Sequence, residues 1–594
     1  MNNALRSYAL AGAVVLTLGA TASTADQRNE ATFLAIPSSD GARASSQALN
    51  QSYHYPGTPG DRQMAIWMRD RLAALGLNAR IESFPAVVYT PKTLQLQLMT
   101  SPAVTFDLAD PAIPADSGGS RPGIGLPFNA GSGDGDVTAA LVDAGKGLDA
   151  DYARLKAMGV NVRGKIALVR YGAEYRGNLA LRAQQDGAAG VVFFTDPSGN
   201  KGPAYPNGPY PSDLTIQRGE VMGDDNLPLR IPVLPIDARN ARVLIANIRN
   251  GQTASPVHER VVMNATHTTL WNSIGEIAGS NPKQSVVLGG HRDAWVYGVS
   301  DDGSGIATLL EVARGLGKLH RGGWTPKRTI VIAGWDAEEI GELGSTAYVN
   351  AHKADLQNGC IAYLNTDESA SGPDFGASAA AAISDGVTGP IQSVLGIGHP
   401  VIDPPSGGSD FESFIYTMGT PIFDVGYTGA LGTYHSPYDD FRFASLYADP
   451  GFVHHKTIAQ ALGIVAMRLA QSDRPFAFAP YATALDSGAR EMIKEAAKAG
   501  LILNAPKLAD AIRHVEDAAS RVDERQSPEN VPIALKAAQH LDLIAYSANG
   551  YASVAFPTIA KAIASGKQSE LDDAVRDTIA ALERVSALLH ETGA

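Results

Sequence analysis

The chain contains a single cysteine, Cys360, among 594 residues. No intrachain disulfide can form, so a disulfide-stapled scaffold is excluded. Cys360 lies in the apolar run Cys360-Ile361-Ala362-Tyr363-Leu364, where it reads as a small buried hydrophobe rather than a nucleophile. Basic residues are also in deficit, 48 Lys and Arg against 61 Asp and Glu, for a formal net charge of −13. Such a chain repels phosphate backbones, which argues against nucleic acid as a partner. Long apolar runs are scarce as well. One, over residues 8–20, follows Arg6 and precedes Ala20-Thr21-Ala22. It is too short for a membrane span, which needs about 20 apolar residues, and has the layout of an export signal. Residues 1–25 are therefore expected to be a signal peptide, the mature protein to be exported (periplasmic or secreted), and no membrane span to remain. Neither an internal repeat nor a low-complexity tract is present, and 44% hydrophobic against 18% charged residues suits a globular protein.

At about 100–200 residues per domain, this length calls for roughly three units. The spacing of Met64, Trp67, Met68, Leu72 and Leu75 predicts a helix over 60–77, with strands at 78–88 and 94–98. A Gly-, Pro-, Ser- and Asp-rich stretch near 111–136 suits a boundary. A β-α-β rhythm follows (strand 164–169, helix 179–187, strand 190–194, strand 231–235) and reads as an insertion over 116–256. From about 257 to 475, the short unbroken apolar runs 285–288, 329–333 and 360–364 predict strands buried on both faces of a mostly parallel sheet. A helix over 304–319 lies between the first two, with Ser304 as its N-cap. Four amphipathic patterns (489–500, 508–522, 531–546 and 570–589) predict a C-terminal helical bundle. The expected class is α/β.

Each buried strand runs at once into acidic residues or a histidine. Leu288-Gly289-Gly290 leads to His291-Arg292-Asp293, then Asp301-Asp302-Gly303. Ala333-Gly334-Trp335 leads to Asp336-Ala337-Glu338-Glu339. Leu364-Asn365-Thr366 leads to Asp367, and a later glycine-rich loop holds Tyr434-His435-Ser436. The carboxyl ends of parallel strands share one edge, where open α/β sheets bind ligands. Taken singly, His291 reads as a structural histidine, Asp301-Asp302-Gly303 as a turn, and Glu338-Glu339 as the acidic first turn of a helix. Together they form a set of nitrogen and oxygen donors suited to two zinc ions, whose separation of about 3.5–4 Å lets them share one hydroxide.

The segments Gly289-Gly290-His291-Arg292-Asp293-Ala294-Trp295-Val296-Tyr297-Gly298, Trp335-Asp336-Ala337-Glu338-Glu339-Ile340-Gly341, Asn365-Thr366-Asp367 and Tyr434-His435-Ser436, with Arg170 to Asn178 upstream, resemble the glutamate carboxypeptidase II family. The resemblance implies a zinc peptidase domain in two parts (26–115 and 257–475), a protease-associated insert (116–256) and a helical dimerisation domain (476–594), hence a homodimer. It further implies two zinc ions per chain bridged by Asp301. His291 and Asp367 complete one site; Glu339 and His435 complete the other. Glu338 is then the general base, Asp293 orients His291, and Tyr434 donates to the oxyanion. A cis Asp301–Asp302 peptide is a further expectation. Cobalt or manganese also suits such donors.

The same resemblance places Arg176, Tyr434 and Tyr551 around the terminal carboxylate of a peptide substrate. Gly550 stands where glutamate-specific members carry a lysine, and the loop between Arg218 and Leu229, which carries their asparagine, is short. A carboxypeptidase or dipeptidase without strict glutamate preference is therefore expected. An aminopeptidase of the same fold is the alternative. A non-catalytic receptor, as in the transferrin receptor, is the remoter one, because all five ligands and Glu338 are retained.

Overall fold

A computed structural model describes residues 24–222 and 227–593. The expected signal peptide lies, up to residue 23, outside the described residues, as do residues 223–226 of the loop after Arg218. Three helices open the described chain, Thr24–Leu34, Ser39–Leu49 and Pro59–Ala74. The third begins where Thr58 accepts the Asp61 N–H and Pro59 fills the first turn, a position that needs no N–H bond. It ends three residues before the expected limit. The strand that follows is one element, Asn78–Leu98, and not two. Its register against Val257–Ile277 shifts between Pro91 and Thr93. Proline lacks the N–H that the ladder needs, so the strand bulges there and continues.

The main sheet among the described residues runs Asp374–Ala379, Ile422–Thr428, Cys360–Asn365, Asn281–His291, Arg328–Trp335, Val257–Ile277, Asn78–Leu98 and Val104–Thr105, with Gly135–Ala139 pairing residues 257–261. The four strands from Ile422–Thr428 to Arg328–Trp335 are parallel, and the flanking pairs are antiparallel. Val286, Val287, Leu288, Ile330, Ile332 and Leu364 are fully buried, beneath helices that include Gly303–Arg321 and Val453–Gln471. Burial on both faces is what makes these strands unbroken apolar runs. The N-cap of Gly303–Arg321 is Asp302 rather than Ser304. The Asp302 carboxylate accepts the Gly305 N–H at 2.8 Å, while the Ser304 hydroxyl donates to the Ser300 carbonyl at 2.7 Å.

The inserted unit has its own parallel sheet, Leu141–Asp143, Ile166–Arg170, Gly190–Phe194 and Val233–Ile236, and its own core around Leu179, Val191 and Phe193. Its helix Arg176–Gln185 begins three residues before the expected start, which sets Arg176 in the first turn. The C-terminal region is helical: Ala479–Lys498, Ala505–Arg525, Val531–Ala545, Pro557–Ala564 and Gln568–Gly593. These helices share one apolar core with the main sheet. A hairpin, Tyr546–Asn549 with Ala552–Ala555, interrupts them and was not expected from the sequence. Among the described residues, no helix is long and apolar enough to cross a membrane.

Candidate metal centre

Because parallel strands leave the sheet at one edge, His291, the Glu338–Ile340 turn and Asp367 emerge side by side. Two groups of donors result, His291 with Asp301 and Asp367, and Asp301 with Glu339 and His435, each with its ligand atoms within 4.8 Å of one another. Asp301 belongs to both. Its Oδ1 lies 3.1 Å from His291 Nε2 and its Oδ2 lies 2.9 Å from His435 Nε2. Glu339 Oε2 stands 3.0 Å from His435 Nε2, and Asp367 Oδ1 stands 3.5 Å from His291 Nε2. Glu338 Oε2 is 3.8 Å from His291 Nε2. The Asp301–Asp302 peptide is cis.

The chemistry of this pocket fits cations. Glu339 Oε1 and Asp367 Oδ1 are buried without a hydrogen-bond partner, a costly state for an oxygen unless something positive faces it. Burial pushes Glu338 well above the usual glutamate value; His291 pulls it down, while Asp367, Glu339 and Asp410 push it further up. Burial acts the same way on Asp301, but hydrogen bonds from His291 and His435 hold it well below the usual carboxylate range.

Each imidazole is set by its other nitrogen. His291 Nδ1 donates to the backbone carbonyl of Asp293 at 3.0 Å. Asp293 is thus the partner of His291 expected from the sequence, through its carbonyl; its carboxylate is 3.9 Å from Nδ1. It instead accepts the N–H groups of Glu338 at 3.1 Å and Glu339 at 3.4 Å, and so holds the turn that carries the base. His435 Nδ1 donates to the Arg218 carbonyl at 3.2 Å, and the Arg218 N–H donates back to the His435 carbonyl at 3.2 Å. Both bonds leave Nε2 free to face an ion. Arg218 belongs to the insert and forms an ion pair with Asp110 at 2.6 Å, both side chains 1% exposed. Asp439 accepts the N–H groups of Ser300 and Asp301, and Asp302 accepts that of Glu368 at 3.0 Å, which ties the Asp301 and Asp367 loops together. Apart from the partnership of Asp293 with His291, none of these supports was expected from the sequence.

The expected carboxylate-binding residues also gather here. Arg176 is buried and makes no ion pair among the described residues; its Nη2 meets the Tyr434 hydroxyl at 3.4 Å. Burial works against its charge, but Tyr551, Tyr434 and Tyr171 around it favour the charge, and its pKa stays above the ordinary arginine value. The Tyr434 ring stacks on His435 with centroids 3.6 Å apart. The unexpected hairpin delivers Tyr551 to this spot, edge-on to Tyr175 with centroids 5.7 Å apart. Gly550, at the hairpin turn, has φ +57°, and a Cβ there would stand 2.6 Å from Tyr175 Cβ. Three acidic residues the sequence reading passed over, Glu220, Glu342 and Glu412, lie beside this cluster. Glu342 was within view, three positions after Glu339.

The family model for "Peptidase family M28" matches residues 272–449, and the "PA domain" model matches residues 137–235. A "Probable glutamate carboxypeptidase" of Arthroderma benhamiae is 31% identical over 498 residues, covering 71% of this chain and 68% of that protein. A second, from Arabidopsis thaliana, is 30% identical over 535 residues, covering 80% and 78%. "Aminopeptidase NAALADL1" of Rattus norvegicus is 30% identical over 442 residues and covers 59% of each chain. Among solved structures, an aminopeptidase from Aneurinibacillus sp. strain AM-1 superposes with a TM-score of 0.52 at 20% identity, over 74% of this chain and 96% of its own. That likeness concerns the fold. With its donor groups at the strand ends and relatives of this identity and coverage, the chain belongs to the glutamate carboxypeptidase II family of M28 metallopeptidases.

Proposed function

We propose that this chain is a two-zinc exopeptidase that releases C-terminal residues from peptides or dipeptides without a strict demand for glutamate. His291, Asp301 and Asp367 would hold one ion, and Asp301, Glu339 and His435 the other. When bound, such ions supply positive charge that lowers the pKa of a water toward neutrality and polarises the scissile carbonyl. Glu338 takes the water's proton on its carboxylate and passes it to the leaving amine. The Tyr434 hydroxyl donates to the developing oxyanion. Arg176 and Tyr551 hold the terminal carboxylate.

The carboxypeptidase reading is carried by Arg176. An isolated buried charge costs several kcal/mol, and this guanidinium has no carboxylate partner among the described residues. A substrate carboxylate offsets that cost with a charge-assisted fork. The rival, an aminopeptidase, draws on the acidic side chains nearby, which suit an α-ammonium group. Peptides blocked at one end decide between them. N-acetylated peptides should be shortened and C-amidated ones spared; the reverse pattern defeats the carboxypeptidase reading. Export, the domain division at 115/116, 256/257 and 475/476, and a homodimer through residues 476–594 belong to the same reading. Dimerisation draws support from apolar side chains open to solvent in that region, Ile502 at 79% and Ile493 at 39% exposure. Light scattering after size-exclusion chromatography tests it.

A further inference from the structure

Beside Arg176 lies a second concentration of charge, of opposite sign, that the catalytic cycle does not use. Glu220 directly follows Gly219, a glycine so close to Arg176 that a Cβ there would stand 2.4 Å from Arg176 Cδ. The strand Gly219–Glu220 packs on the Glu338–Ile340 turn, and Glu342 lies just beyond that turn. Glu412 accepts the Gly408 N–H at 2.5 Å, and a Cβ on Gly408 would stand 2.4 Å from the Tyr551 ring. Asp410 completes the group: after burial itself, Glu412, Asp410 and Glu220 are the groups that most raise the proton affinity of Glu342.

These four carboxylates have no lysine or arginine partner among the described residues. Asp410 is fully buried and, among the described residues, pairs with no basic side chain. Glu220 is 8% exposed, and only one of its oxygens is engaged, by the Met222 N–H. The Arg176 guanidinium, which meets the Tyr434 hydroxyl but no carboxylate, is the neighbouring group suited to an anion. A small metal ion is a poor occupant of the acidic end, because none of these four residues joins a group of converging ligand atoms among the described residues. A cation on a flexible chain suits it better.

Resting on the carboxypeptidase reading above, we infer that these carboxylates select a basic side chain, lysine or arginine, on the C-terminal residue of the substrate. The residue's carboxylate pairs with Arg176 and Tyr551, and its side-chain cation reaches Glu342, Glu220 and Glu412. A glutamate side chain meets repulsion there. Gly550 adds no cation to relieve it, and its close approach to Tyr175 leaves no room for a side chain.

The test uses the zinc-loaded full chain and N-acetylated tripeptides differing only in the last residue, Lys, Arg, Leu or Glu, with kcat/KM read by mass spectrometry. Lysine and arginine should lead leucine by roughly 10- to 100-fold, the usual range for one contact in a specificity pocket, and glutamate should come last. Glu342→Gln and, separately, Glu412→Gln should each lower the lysine-to-leucine ratio, and Glu342→Lys should raise the glutamate-to-lysine ratio. Leucine or glutamate matching lysine in the parent, or ratios unmoved in all three variants, overturns the inference while the carboxypeptidase reading stands. Release from no acetylated peptide sinks both.

Discussion

Replacing Asp110 with asparagine removes the only carboxylate paired with Arg218 among the described residues. The two side chains lie 2.6 Å apart and are 1% exposed. Breaking such a buried pair from one side costs about 3–5 kcal/mol, because the remaining charge stays desolvated. The guanidinium relieves that cost by moving toward water, and its backbone goes with it. Two bonds to His435 are then lost, the carbonyl contact with Nδ1 and the N–H contact with the His435 carbonyl, both 3.2 Å long. Losing the outer partner of a metal-binding histidine weakens metal affinity by about 10- to 100-fold. Asp110→Asn should therefore lower the melting temperature and weaken zinc binding at the Asp301–Glu339–His435 group by that factor, read by competition with a chromophoric chelator. The double variant Asp110→Leu/Arg218→Met, which removes both charges, should regain most of the lost stability. Zinc affinity unchanged in Asp110→Asn, with melting lowered, would refute the claim that this ion pair serves the ligand.

Glu338→Gln should keep zinc stoichiometry at the parent value while kcat falls about 10²- to 10⁴-fold, the usual contribution of a general base; a smaller loss in a peptide-release assay assigns proton transfer elsewhere. Gly550→Lys should fail to create glutamate specificity. The left-handed backbone costs about 1–2 kcal/mol for a residue with a Cβ, and the clash with Tyr175 adds about 1–3 kcal/mol, so differential scanning fluorimetry should report a lower melting temperature. Glu259 is fully buried with neither oxygen hydrogen-bonded, and burial raises its pKa well above the ordinary value. A raised folded-state pKa contributes stability that is complete below the unfolded value and lost as pH rises toward the folded one. The melting temperature of Glu259→Gln should therefore gain on the parent between about pH 5 and about pH 8; a constant difference defeats this account.

The candidate metal-binding set was legible because of how parallel strands are built. Val286-Val287-Leu288 and Ile361-Ala362-Tyr363 are apolar throughout, since both faces are covered, so the first polar residue after each run marks the functional edge. The supports of that set were not legible. Arg218 meets Asp110 across 108 residues and His435 across 217, with no local pattern at either end. Asp302 and Ser304 are both short polar residues fit to cap a helix, and only the Ser300 carbonyl, which takes the Ser304 hydroxyl, decides between them. Asp293 was legible as the partner of His291, but that its backbone carbonyl rather than its carboxylate meets the ring was not, because sequence names a residue and not which of its oxygens faces its neighbour. Glu220, Glu342 and Glu412 come from three separate stretches, and each alone resembles ordinary surface acidity.

The reciprocal bond between Arg218 and His435 has a bearing on how the enzyme matures. Residue 218 leaves the ribosome long before residue 435, so these two bonds close only once both segments are in place. A chain trimmed to its catalytic sheet alone would lack the Arg218 carbonyl that takes the His435 Nδ1 proton.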